Sequence, residues 1–205
     1  MQFIRSGWQI GFSICIDFTI SNGPTSEPTS LHYIDNRKAK KVDYDEMNPY
    51  QKAIYSLTSL LQHYDHDKKF PVFGFGGIPS YEDPAGEANH CFALKDPSDA
   101  VVSYVQEAMD LYKEMTPKIT FHGPTLLAPC LSTLMEAYYE KFNMNEYSVI
   151  LILTDGIVND VADTKRILVE LSNMPVSVII IGIGDADFKV MEQFKAKTPI
   201  VNSSG

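Results

Sequence analysis

The chain has 205 residues, 44% of them hydrophobic, which fits one α/β domain and excludes a disordered segment. Its 26 acidic residues outnumber 17 basic ones, giving a net charge of −9 and a pI near 4.9. That balance argues against a broad nucleic-acid-binding face and against unaided attraction to anionic lipid, and no apolar stretch reaches the roughly 20 residues of a membrane span.

Taken in chain order, the first element is a strand over Gly11 to Phe18 (GFSICIDF), a short apolar run ending beside an aspartate. The basic-then-acidic stretch Asp35 to Glu46 reads as a solvated loop. Asn48-Pro49 then offers a cap and a preset first-turn dihedral, and Tyr50, Ile54, Leu57, Leu61 and Tyr64 continue at helical spacing. Phe70 to Phe75 is a second strand, and His90 to Leu94 a short edge strand. Val101, Val105, Ala108, Tyr112 and Met115 predict a helix opened by Asp96-Pro97 or Ser98. Leu127, Leu131, Leu134 and Tyr138 predict another, with Pro129 tolerated in its first turn. Tyr147 to Leu153 and Val176 to Ile183 are nearly continuous aliphatic runs, the pattern of parallel strands buried on both faces. Helices over about 160–171 and 187–195 follow them. Alternating strands and helices predict a doubly wound, mostly parallel Rossmann-like sheet flanked by helices.

Cys15, Cys91 and Cys130 lack CxxC spacing, so neither a disulfide framework nor a zinc site is expected. The start MQFIRSGWQI has no apolar h-region, which predicts a reducing, cytoplasmic setting. Asn202-Ser203-Ser204 matches a glycosylation acceptor only by chance in that setting.

In doubly wound sheets, ligands bind beyond the carboxyl ends of the strands. Three predicted loops place oxygen-bearing side chains there: Asp17-Phe18-Thr19-Ile20-Ser21-Asn22, Gly123-Pro124-Thr125 and Thr154-Asp155-Gly156. Singly, these residues read as helix caps and turn formers. Together, Asp17, Thr19, Ser21, Thr125 and Asp155 supply two carboxylates and three hydroxyls, a donor set suited to a hard divalent cation.

This arrangement resembles the metal-ion-dependent adhesion site of von Willebrand factor A domains. DFTISNG, SLHYI, NPYQKAI, HYDHDKKFPVFGFGG, FHGPTLLAP, YSVILILTDGIVND and MPVSVIIIGIGDADF further resemble the A domain of copines. The resemblance implies one A domain over residues 1–205, cut from a longer protein with N-terminal C2 domains. It implies a site for Mg²⁺, with Mn²⁺ or Ca²⁺ as alternatives. Thr19, Ser21 and Thr125 would coordinate directly, and Asp17 and Asp155 mainly through water. The partner expected is a protein supplying an acidic residue to the metal. Calcium-dependent phospholipid binding, and recruitment from the cytoplasm to the plasma membrane, would belong to C2 domains absent from this chain. No catalytic residue is expected.

Two alternatives belong beside this reading. A RING-type E3 ubiquitin ligase carries a similar A domain, although this chain has no Cys/His zinc pattern. A metal-dependent phosphohydrolase of the haloacid dehalogenase type also places an Asp after its first strand, but needs a second Asp where Thr19 stands. No P-loop, GxGxxG after a strand, GxSxG elbow or HExxH is found among the five histidines and their neighbours.

Overall fold

A computed structural model describes residues 7–35, 43–61, 68–141 and 145–195. Its centre is strand β1 (Gln9–Asp17), flanked in parallel by β2 (Lys69–Phe75) and β7 (Glu146–Thr154), with β8 (Val176–Gly182) parallel beyond β7. Two short strands, β4 (Phe92–Ala93) and β5 (Val101–Ser103), run antiparallel to β2 and complete a six-stranded sheet. A separate two-stranded ribbon pairs β3 (Gly77–Pro79) with β6 (Ile119–Phe121).

Alternation along β1 sorts the core into two layers. Phe12, Ile14 and Ile16 face helices α1 (Pro49–Leu61) and α2 (Tyr104–Met115), together with Leu151 and Leu153 of β7. Cys15 points the other way, joining Ile150 and Ile152 against α3 (Ala128–Lys141) and α4 (Val161–Leu171). Both faces of β1 and β7 are therefore covered, which is why those strands read as unbroken apolar runs. The chain leaves β1 for β2 on one side and later returns to β7 on the other. Loops on opposite sides of the sheet part at that point, the position where such folds open a crevice.

Helix α1 starts where the sequence places it. Asn48 Oδ1 accepts the Gln51 N–H at 2.8 Å, and Gln51 Oε1 accepts the Asn48 N–H at 3.0 Å, a reciprocal capping box. The predicted helical position Tyr64 lies outside the described residues, as does most of the 35–46 loop, of which Tyr44–Glu46 forms a 3-10 turn.

Three expectations need correction. Helix α2 opens at Tyr104 rather than at residues 96–98. Asp96 and Asp99 instead close local turns, accepting the N–H groups of Ser98 and Val101 at 2.8 and 2.9 Å, and Val101–Ser103 is drawn into the sheet as β5. Residues 188–194 form a 3-10 helix rather than an α-helix. Strand β8 is not buried on both faces: it lies at the edge of the described sheet, and Ile179 is 45% exposed.

Asn48 also donates through Nδ2 to the Tyr33 carbonyl at 3.2 Å and to the Tyr112 hydroxyl at 3.3 Å. Asn48→Ala removes the cap and both contacts. The expected loss is about 1–2 kcal/mol of stability, read by urea denaturation, with the m-value unchanged.

Candidate metal centre

The sheet's register brings Asp17, the last residue of β1, beside the end of β7. Asp17 is fully buried, and its carboxylate is held by its neighbours on both oxygens. Oδ1 accepts the Thr19 N–H at 2.9 Å, the Thr19 hydroxyl at 2.6 Å and the Asn22 amide at 3.3 Å. Oδ2 accepts the Thr154 hydroxyl at 2.6 Å, across the β1–β7 boundary. The turn that delivers these donors is a short 3-10 helix, Ile20–Asn22, tied back by Ile20 N–H to the His122 carbonyl at 2.7 Å. Gly76, at a φ of +74°, lets this turn sit close: a Cβ there would lie 2.2 Å from Thr19 Cγ2.

Thr19 Oγ1 is the hub of the hydroxyls. It donates to Asp17, lies 3.0 Å from the Ser21 hydroxyl, and accepts the Thr125 hydroxyl at 3.3 Å. Thr19 and Thr125 are buried, whereas Ser21 is exposed at the rim. Thr125 follows a cis Gly123–Pro124 peptide and is locked to the segment after β7. Its N–H donates to Asn159 Oδ1, and its carbonyl accepts the Asn159 N–H, both at 2.9 Å. Asp160 then caps α3 from outside, accepting the N–H groups of Leu127 and Ala128 at 3.1 and 2.8 Å.

Asp155 completes the set. It is 4% exposed, and its Oδ1 is buried with no hydrogen-bond partner among the described residues. All five side chains expected from the sequence therefore lie at one sheet edge. Four are joined by direct contacts, and the fifth is near enough for its charge to act on Asp17. Burial pushes the Asp17 carboxyl up to about 6, against the pull of its Thr154 and Thr19 hydrogen bonds; the Asp155 charge adds to the rise.

Several residues that support the site carried no recognised signal. His32 is fully buried and stacks on Tyr50 at 3.9 Å between ring centroids. Its Nε2 lies 2.7 Å from the Asp17 carbonyl, an acceptor only, so Nε2 carries the proton and Nδ1 accepts the Tyr112 hydroxyl at 2.7 Å. Burial pushes His32 down to about 3, so it stays neutral. Asn22 and Thr154 lie within the loops the sequence marks out, but nothing in the sequence distinguishes them as donors to Asp17. Asn159 and Asp160 read as helix-start residues, and their grip on a different helix is set by tertiary packing.

Relatives then define the family. The sequence profile of the family described as Copine matches residues 30–205. The chain belongs to the copine family. It is 37% identical to protein BONZAI 1 of Arabidopsis thaliana over 195 residues, 94% of this chain and 32% of that protein. Protein BONZAI 2 of the same plant is 36% identical, across 94% of this chain and 31% of that protein. The chain thus spans about a third of the length of these relatives. Among solved structures, the VWA domain of SpRpn10 superposes with a TM-score of 0.56 at 9% identity, covering 91% of this chain and 80% of that one. The crystal structure titled manganese-loaded Plasmodium vivax TRAP protein superposes with a TM-score of 0.57 at 14% identity, covering 96% and 66%. At such identities the likeness establishes the fold, a von Willebrand factor A-type domain.

Two buried groups of this copine domain, Asp17 and His32, oppose each other with pH. Asp17 is harder to ionise folded than unfolded, so its contribution to stability falls as pH rises from about 4 to about 6. His32 is harder to protonate folded, so its contribution falls as pH drops from about 6.5 towards 3. In chelator at pH 7, Asp17→Asn is expected to raise the stability of the metal-free domain by up to about 3 kcal/mol. That advantage disappears below pH 4, as followed by denaturation at each pH.

Proposed function

We propose that this domain is a divalent-cation-dependent protein-binding module, with the cation held at Asp17, Thr19, Ser21, Thr125 and Asp155. The observation that carries this reading is the buried, unpartnered Asp155 Oδ1 beside a second buried carboxylate. Among the described residues, neither acid forms an ion pair with a basic side chain, so the fold concentrates negative charge at a site that leaves it uncompensated. Hydroxyl and carboxylate oxygens are the ligands that Mg²⁺ prefers, with Mn²⁺ and Ca²⁺ close behind. The fold is shared with a protein described as manganese-loaded, which is consistent with this choice.

When bound, the ion supplies a Lewis-acidic position that an oxygen donor from outside can fill. Two carboxylates balance its charge, and three neutral hydroxyls leave that acidity undiminished. A partner's Asp or Glu is the fitting donor. Asp17 itself is poorly placed for nucleophilic attack, because it is fully buried and hydrogen-bonded on both oxygens. That supports a binding role over phosphoester hydrolysis. The net charge of −9 supports a division of labour in which membrane contact by the longer cytoplasmic protein falls to other domains, as the copine pattern implies.

The test is titration of Mg²⁺, Mn²⁺ and Ca²⁺ into chelator-stripped domain by calorimetry and thermal unfolding. Wild type is expected to take up one ion and to gain about 2.7 kcal/mol at a hundredfold excess over Kd. Asp17→Ala and Thr125→Ala are expected to lose that gain while remaining folded. A wild-type domain that binds none of the three ions overturns the proposal.

A further inference from the structure

The Asn22 side chain is held between two groups that decide which way its amide faces. Tyr50, the second residue of α1, is fully buried and donates its hydroxyl to Asn22 Oδ1 at 2.7 Å. With Oδ1 taken, Nδ2 points towards Asp17 Oδ1 at 3.3 Å and the Thr19 carbonyl at 3.1 Å. The reversed amide would bring three oxygen acceptors together and leave the Tyr50 hydroxyl facing an NH₂ group. Asn22 is further pinned through its backbone, its carbonyl accepting the Leu31 N–H at 3.0 Å and the Ser30 hydroxyl at 3.1 Å. The Asp17 carboxylate and the Thr19 carbonyl only accept, so they set which way the amide faces, and the Tyr50 hydroxyl then satisfies Oδ1 and holds the amide in place.

We propose that Tyr50 is a positioning residue of the cation site, acting through Asn22: its hydroxyl satisfies Asn22 Oδ1 and holds the amide in place as a donor to Asp17, which keeps the Asp17 carboxylate aimed for the ion. The inference rests on the cation-site reading above and deepens it. A helix packed on one face of the sheet thereby reaches the site without touching it. The reach depends on where α1 begins, because the Asn48–Gln51 capping box sets the first turn on which Tyr50 stands. Hydrogen-bonding partners that orient metal ligands in this way govern affinity as well as geometry.

Tyr50→Phe isolates the hydroxyl, since the ring and its stack on His32 are retained. The variant is expected to bind Mg²⁺ and Mn²⁺ about tenfold more weakly than wild type in calorimetric titration. Asn22→Leu, which keeps the branched skeleton without the amide, is expected to weaken binding by at least as much. Because the hydroxyl acts through the amide, the double variant binds no more weakly than Asn22→Leu alone. Thr58→Val serves as the control for generic damage to α1: it removes another buried hydroxyl of that helix, bonded to the Ile54 carbonyl at 2.6 Å. It is expected to lower Tm without changing ion affinity. The inference is overturned if Tyr50→Phe binds as wild type does, if the two losses multiply in the double variant, or if Thr58→Val weakens the ion equally. A wild type that takes up no ion overturns the cation reading itself, an outcome distinct from these.

Discussion

Complete burial of the Asp17 carboxylate at the end of the central strand is the constraint around which the neighbouring structure is organised. Moving a charged acid out of water is costly unless donors replace the lost hydration. Here the donors come from three separate places: the backbone and hydroxyl of Thr19, the amide of Asn22 and the hydroxyl of Thr154. Each imposes a local geometry. Thr19 and Asn22 demand the tight turn after β1. Thr154 demands the β1–β7 register observed, because a slip of one residue would send its side chain to the other face of the sheet. The donors still fall short of water, and the carboxyl stays well above its ordinary pKa.

The same constraint ties both helical layers to one sheet edge. On one face, the Asp17 carbonyl is met by His32, whose neutral ring is clamped between the Tyr112 hydroxyl and the Tyr50 ring, joining α1 and α2. On the other face, α3 does not cap itself. Its first N–H groups are satisfied by Asp160, and the preceding Thr125 is paired with Asn159. The segment after β7 therefore carries Asp155 and also positions the loop that brings Thr125 in. Gly156 extends this link to the last described helix, because a Cβ there would lie 2.6 Å from the Phe188 ring.

What the sequence makes legible follows from the range of the forces involved. Strands β1, β2, β7 and β8 announce themselves as short apolar runs, and α1 because Asn48-Pro49 supplies a local start signal followed by apolar residues at helical spacing. The five candidate ligands were legible because a strand-end position is topological information. The opening of α2 was not, since Asp96 serves a turn as readily as a cap, and pairing with β2 decided the matter. The exposure of Ile179 was hidden for a similar reason, as an aliphatic run does not say whether its strand is central or at an edge. His32, Asn159 and Asp160 act across separations that no local pattern encodes, such as the 80 residues between His32 and Tyr112.

The two acids of the site are treated unequally, and the inequality has consequences. Asp17 is saturated by fixed donors and cannot turn; Asp155 leaves one buried oxygen without a partner. A purely structural pair of carboxylates would be expected to have every buried oxygen hydrogen-bonded, since an unpaired buried acceptor lowers stability. Retaining it makes sense if stability is exchanged for a place that an external cation completes. Asp17 is held rigidly and Asp155 keeps one oxygen free of hydrogen bonds, while the hydroxyls on Thr19, Ser21 and Thr125 need only rotate about their C–O bonds to change what they face. The polar groups can then answer a ligand without repacking the sheet beneath them.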